Sequence, residues 1–303
     1  MNVTGSLLKR NILIFVRDRS AVFFSVLTML IVLGLMVLFL GDMNSRDIVE
    51  ALNRAGGDRD AVRDRENADY LIQMWTLAGI LTTNAITVTM TVMGNLIRDR
   101  ARNRLASFFV TPVSRLQIAL GYILSAWIIG SVMCLLTLAV AEGYMVMEEQ
   151  ELLAASAWLK LAGMIALNTF VYAAIAYLIA LFVSSESAWS GLLTVIGTLV
   201  GFVGAIYLPM AALPEKVAAV LKYLPVLHGA AMMRGVCTQK AAEITFAGLP
   251  SEAVETFNEK MGVSIVMGEN VVSFGAQMGY LLILAAVVIV LAAVVSRKKE
   301  RTM

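Results

Sequence analysis

The residues best equipped for chemistry in this chain are few and far apart. His228 is the only histidine, and it sits beside Pro225 and Gly229. A lone imidazole in that company reads as a polar loop or interface residue rather than a catalyst. Cys134 and Cys237 fall in segments of different depth and read as small packing residues, not as a bridge. No Cys/His cluster has metal-ligand spacing, and the GxxxxGK[ST] phosphate loop is absent. Glu142, Glu148, Glu149 and Glu151 read as spaced surface acids that stay solvated.

Two patterns carry more. Asn84, Thr87, Thr91 and Asn95 recur at helical spacing and so share one helix face, with Thr76 and Thr83 on an adjoining one. Further on come Ser190, Thr194, Gly197, Thr198, Gly201 and Gly204, including the small-xxx-small pair Gly197 and Gly201. Hydrogen-bonding and small side chains in an apolar helix turn toward other helices or a cavity, not toward lipid. The second set reads as an oligomer seam or a flexible gate, and together the stripes make a weakly amphipathic path. Plain helix packing is the alternative for each residue taken singly. The other pattern is cationic, running from Arg98 to Arg115. Arg98, Asp99, Arg100, Arg102 and Arg104 lead into an apolar helical turn, Leu105 to Val110, which Pro112 ends. A soluble partner's groove would bury Leu105, Phe108 and Phe109 while the arginines pair with its acids. A turn sunk in lipid headgroups is the competing reading.

The elements that must hold these patterns follow from composition. Of 303 residues, 59% are hydrophobic and only 15% charged, with a mean hydropathy of +0.79, which excludes an ordinary soluble domain. Six runs lack any charged residue or histidine: Ala21–Leu40, Tyr70–Ile97, Leu116–Ala141, Leu161–Ser185, Ser187–Pro214 and Val271–Ser296. About 20 residues at roughly 1.5 Å each cross a hydrocarbon core of about 30 Å. The chain is therefore expected to be all-α and polytopic, with six transmembrane helices at about 21–40, 70–97, 116–141, 161–185, 187–210 and 271–296. Only Glu186 separates the fourth from the fifth, and Ser184-Ser185-Glu186-Ser187 reads as a tight polar turn. The first run is too long for a cleavable signal peptide and lacks a small-residue cleavage site.

Six crossings place the N-terminus, Arg98–Arg115, Glu186 and the C-terminus on one side. That side holds 13 of the 24 Lys and Arg residues against four acids, and the other holds 11 against 18. Basic flanks stay in the cytoplasm, so both termini are expected there, in a cell (cytoplasmic) membrane. Residues 1–19 read as an amphipathic interfacial helix, with Leu8, Ile12, Phe15 and Val16 on its apolar face. The charged external stretch Gly41–Asp69 reads as a solvated helix or flexible loop. Residues 211–270 are long and partly apolar. Leu213–Leu227 and Ala230–Val236 read as the two helices of a re-entrant hairpin, and Glu252–Met261 as an external helix capped by Ser251. No span carries an acid or base, against a proton relay or a voltage sensor.

A resemblance now attaches to particular residues. Phe15-Val16-Arg17-Asp18-Arg19-Ser20-Ala21-Val22-Phe23-Phe24 resembles the start of the ABC type-2 transporter permease family, where an amphipathic connecting helix turns into the first of six spans. Arg104-Leu105-Ala106-Ser107-Phe108-Phe109-Val110-Thr111-Pro112-Val113-Ser114-Arg115, running on to Gly121-Tyr122, is similar to the family's cytoplasmic coupling region. Leu213-Pro214, Leu224-Pro225 and Arg234 resemble its re-entrant stretch. Gly41–Asp69 is longer and more charged than in the shortest members. The resemblance implies the permease subunit of an exporter, paired with a second permease as homodimer or heterodimer. It also implies a separate cytoplasmic ATPase that binds ATP and Mg, with no cofactor in this chain. The ATPase contacts it implies are Arg98, Asp99, Arg100, Arg102, Arg104, Leu105, Phe108 and Phe109, together with Arg17 and Asp18 of the connecting helix. The seam or path it implies runs along Asn84, Thr87, Thr91, Asn95, Thr194, Gly197, Thr198 and Gly201. An uncharged path suits an amphipathic drug, peptide or lipid. The alternative is a secondary transporter or channel that works without ATP, and a non-transporting membrane scaffold is a third reading.

Overall fold

The computed structural model describes residues 3–35, 41–55, 59–105, 114–206 and 208–300. Helix α1 (Val3–Arg17) lies against the bundle and leads into α2 (Arg19–Leu35). Helix α3 (Gly41–Ala55) precedes α4 (Ala61–Ala101), the longest element at 41 residues. Then come α5 (Arg115–Met147), α6 (Ala155–Ala180) and α7 (Glu186–Val203). A one-turn 3₁₀ segment at Met210–Ala212 opens a group of short helices: α8 (Glu215–Leu221), α9 (Pro225–Cys237), α10 (Gln239–Thr245) and α11 (Ser251–Lys260). A two-stranded antiparallel hairpin, β1 (Val266–Met267) with β2 (Asn270–Val271), pairs Val266 with Val271. Helix α12 (Phe274–Glu300) closes the chain.

Five of these helices are long and apolar enough to cross a membrane: α4, α5, α6, α7 and the Phe274–Ser296 part of α12. The chain is a multi-pass membrane protein. Of the first expected span, 21–40, the described part is α2 to Leu35; residues 36–40 lie outside the described residues. At about 1.5 Å per residue α4 is roughly 60 Å long, about twice a hydrocarbon core. It therefore reaches well past its apolar run at the Ala61 end.

Helix α4 is the axis of the fold. It packs against α3, α5, α6, α7 and α9, and Trp75, Leu81 and Met93 on it are almost wholly buried. That explains an apolar sequence with no dominant polar face: a helix packed on most sides has little surface to give to water or lipid. Small residues set the closest approaches. A Cβ on Gly130 of α5 would fall 2.8 Å from Cγ2 of Thr89, and one on Gly229 of α9 would fall 2.0 Å from Oδ1 of Asn168 on α6.

The sequence expectations meet four corrections. In α1 the buried stripe is Leu7, Asn11 and Phe15, one step around from the expected face, and Val16 is exposed. The reason is a protein surface beneath α1: it packs on α5, where Leu7 fills the space above Gly121. Segment 41–69 is not simply solvated, because α3 buries Ile48 and Leu52 against α4. The stretch 213–227 is two helices, broken at Leu224-Pro225 where the prolyl ring starts α9 at its first turn. Ser251 is the first residue of α11 rather than its cap; Pro250 holds the cap position. The polar break before Glu186 stands where the serines place it, with Ser185 Oγ accepting from the Ala188 amide at 3.1 Å.

Candidate functional site

At one end of the bundle α1, the last turn of α4 and the first turns of α5 meet around a single carboxylate. Asp99 is 3% exposed. It accepts a charge-assisted bond from Arg10 Nη2 and one from the Tyr122 hydroxyl at 2.6 Å, and Arg104 Nη1 lies 3.7 Å away. Arg10 also bonds Asn11 Oδ1 at 3.0 Å, and Asn11 Nδ2 donates to Ser125 Oγ at 3.1 Å. Burial opposes the charge on Arg10, but Asp99 and Tyr122 outweigh it and hold its pKa above the usual guanidinium value. A buried carboxylate without partners would cost several kcal/mol, roughly the desolvation penalty of one ion. Two cations and a phenol make this one tolerable, and they fix the angle between α1 and the bundle.

Local signals build the setting. Ser114 and Gln117 form a reciprocal capping box at the start of α5, and the Thr4 hydroxyl donates to Gln117 O at 3.2 Å. Arg100 Nη1 donates to the carbonyls of Ala180 (2.7 Å) and Val183 (2.6 Å), satisfying acceptors that the end of α6 leaves open. Arg102 reaches toward Glu186 at 3.9 Å, across exposed side chains, where such a pair contributes little. Thus α1, α4, α5, α6 and α7 all present residues to one basic face.

The expected docking residues separate into two groups there. Asp99 is buried, and Arg98, bonded to Asn95 Oδ1 at 2.8 Å, and Arg100 spend polar atoms on the protein itself. Arg17, Arg102 and Arg104 remain exposed, with Asp18 and Leu105 half-buried. Phe108 and Phe109 lie outside the described residues.

The second expected set also divides. Asn84 and Asn95 are buried, Asn84 donating to Thr137 Oγ1 on α5 at 2.9 Å. Thr87 is half-buried and Thr91 exposed. On α7, Thr194 and Thr198 are exposed, Gly197 half-buried and Gly201 buried. The hydroxyls of Thr87, Thr91, Thr194 and Thr198 each donate to the carbonyl four residues back, at 2.8–3.1 Å. They are satisfied within their own helices, so this face is less polar than its composition suggests. Trp189 of α7, 3% exposed, packs on Gly94 of α4, where an added Cβ would come within 3.2 Å of its Nε1.

At the opposite, acidic end Arg234 of α9 is fully buried. Its guanidinium lies over the Trp75 ring, 4.7 Å from the centroid, and donates to the carbonyls of Gly204, Ala205 and Gly262 at 2.7–3.1 Å. Ala205 and Gly262 have φ of 50° and 66°, so each helix end turns sharply and leaves its acceptors facing the arginine. Arg59 bonds Asp64 through two nitrogens at 2.8 and 2.9 Å and reaches the carbonyls of Thr245 and Ala247. His228 is buried, its Nε2 2.9 Å from Lys222 O. Cys134 and Cys237 are both buried and free.

Sequence reasoning missed Arg10 and Tyr122 as partners of Asp99, Asn11 and Ser125 as the bonds that tie Arg10 to α5, and Arg234 as a carbonyl collector. One signal was available: Asn11 stands between Leu7 and Phe15 at four-residue spacing, a polar residue on a buried stripe. A bundle of apolar helices with a basic face tied into α1 is the architecture of a multi-pass membrane protein. In comparison with protein families, the ABC-2 family transporter proteins match over residues 64–294, most of the chain. The chain belongs to that family, and it is the membrane subunit of an ABC transporter, not itself a catalyst. No curated protein matches the chain significantly.

Proposed function

We propose that this chain is the permease of an ABC exporter, moving an amphipathic substrate (drug, peptide or lipid) out of the cytoplasm. A separate cytoplasmic subunit binds ATP and Mg and hydrolyses the nucleotide. The observation that carries the reading is the Asp99 network, which makes α1, α4 and α5 one mechanical unit at the root of the segment 98–115. A motor that pushes on that segment moves the axial helix of the fold with it. Arg17, Arg102 and Arg104 are exposed and would meet an acidic partner surface, and Leu105, Phe108 and Phe109 would supply the apolar centre of that contact.

Orientation follows from the charge bias, with the basic face in the cytoplasm of the cell membrane. A sixth crossing, through 21–40, is supported by the ends it would join: α1 bonds to the basic face, whereas α3 packs near Phe246, Leu249 and Met261 at the acidic one. A re-entrant position for α9 is supported by its burial among α4, α6 and α12. A second permease subunit would meet the exposed face around Thr91, Thr194 and Thr198.

The test is co-purification with the cognate ATPase. Leu105→Asp with Phe108→Asp is expected to abolish ATPase recruitment while the permease still reaches the membrane. Full recruitment by that double variant overturns the docking assignment.

A further inference from the structure

Near the acidic end, α6, α12 and the short helices α9, α10 and α11 leave a gap between them. The remaining cavity has a volume of about 910 Å³, at the upper end of the roughly 300–1,000 Å³ found for clefts that enclose a small ligand. Its wall on the α12 side is Phe274, Met278 and Leu282, and on the α6 side Met164 and Leu167. Phe274, Met278 and Leu282 are 50%, 40% and 50% exposed. They belong to the apolar run of a spanning helix, so the opening faces acyl chains rather than water. Two exposed charges, Lys160 of α6 and Glu243 of α10, also line the cavity. Lys160 makes no ion pair among the described residues. Gln277 lines it too: 5% exposed, its Nε2 donates to Val272 O at 3.0 Å, while its buried Oε1 has no donor.

An apolar slot open to lipid, with one cation, one carboxylate and an unsatisfied amide oxygen, has the chemistry of a zwitterionic amphiphile reversed in sign. We infer that this cavity binds a glycerophospholipid with a primary-ammonium headgroup. Lys160 takes the phosphate, Glu243 the ammonium, and an acyl chain lies along Met164, Leu167, Met278 and Leu282. A purely anionic lipid would leave Glu243 facing like charge, and the two charges together favour the zwitterion. The site is separate from the basic face and needs no ATPase. In the proposed orientation it opens to the outer leaflet.

Gly163 lines the cavity, and a Cβ there would meet nothing within 4 Å, so a large side chain can fill the slot without disturbing the bundle. The experiment places the full chain in vesicles of phosphatidylcholine doped with phosphatidylethanolamine that carries a photoactivatable diazirine in one acyl chain. Cross-linked peptides are then mapped by mass spectrometry. Cross-links should concentrate at Met164, Leu167, Met278 and Leu282 and fall about tenfold in Gly163→Trp. They should fall comparably in Lys160→Gln, as loss of one charge-assisted contact requires. Unlabelled phosphatidylethanolamine should compete and phosphatidylglycerol should not. Unchanged background labelling of Val132 and Leu136 on α5, both exposed, shows that each variant is folded, and Gly163→Ala should label as the parent does. Labelling spread evenly over lipid-facing helices, or insensitive to Gly163→Trp in a folded variant, overturns the site. Equal competition by phosphatidylglycerol overturns the headgroup assignment.

Discussion

Asp99→Asn keeps the shape of the residue at the basic face and removes its charge. The carboxylate is 3% exposed and holds both the Arg10 guanidinium and the Tyr122 hydroxyl. Breaking a fully buried ion pair costs about 3–5 kcal/mol. The Arg10 side chain, however, is 31% exposed and regains part of its hydration, so the lower scale of a hydrogen bond to a charged group, about 2 kcal/mol, applies. That cost falls on the docking of α1 to α5 rather than on the whole bundle. An opening equilibrium shifted by about 2 kcal/mol changes by roughly 30-fold. Amide hydrogen exchange on the detergent-solubilised chain reads it directly. Protection across Val3–Arg17 should fall about 30-fold in Asp99→Asn, while amides in the middle of α5 stay unchanged. Arg10→Met should do the same, and the double variant should cost much less than the two together, the coupling expected of direct partners. If α1 protection in Asp99→Asn stays within about twofold of the parent, the carboxylate does not hold the connecting helix and the mechanical unit fails.

Three further outcomes follow from packing. Gly121→Ala sets a Cβ 2.8 Å from Cβ of Leu7 and Gly130→Ala one 2.8 Å from Thr89. Each should lower thermal stability by about 1–3 kcal/mol in scanning calorimetry, whereas Gly143→Ala, with open space at its Cβ, should leave the melting temperature unchanged. Arg234→Met strips donors from the carbonyls of Gly204, Ala205 and Gly262 and should cost about 3 kcal/mol or more. Arg234→Lys should recover only part of that, because an ammonium can neither fork to three carbonyls nor stack flat on Trp75; full recovery in thermal unfolding would argue for charge alone. Cys134 and Cys237, both buried, should resist maleimide in the folded chain and label together when it is unfolded in dodecyl sulfate. Fast labelling of Cys237 before unfolding would mean that α9 is not packed as described.

Five membrane-length helices were legible because a bilayer imposes a length, and a length can be counted. The turn at Ser184–Ser187 was legible for a related reason: four polar residues cannot continue a buried helix without losing hydration. The Asp99 network was not, because its partners Arg10 and Tyr122 lie 89 and 23 residues away in sequence. Arginines packed around one aspartate read as a docking cluster for a partner's acids. Only the fold reveals that Asp99 points inward while Arg102 and Arg104 point out. Asn84 was read as part of a polar face when it is a bond to Thr137 of α5; helical spacing identifies a face but not what covers it. The threonines misled in the opposite sense, since their hydroxyls turn back on their own helices. Arg234 was beyond reach, because its partners are backbone carbonyls exposed by helix ends whose positions depend on the tertiary fold.

The central claim is that the chain moves its substrate only with the work of a separate ATPase. The direct measurement is transport of a fluorescent amphipathic substrate in proteoliposomes holding the permease and its cognate ATPase. The orientation is set so that nucleotide reaches the basic face. Transport should require ATP with Mg, should cease when a non-hydrolysable ATP analogue replaces ATP, and should be absent when the permease alone faces a proton or sodium gradient. Gradient-driven transport by the permease alone would contradict the account.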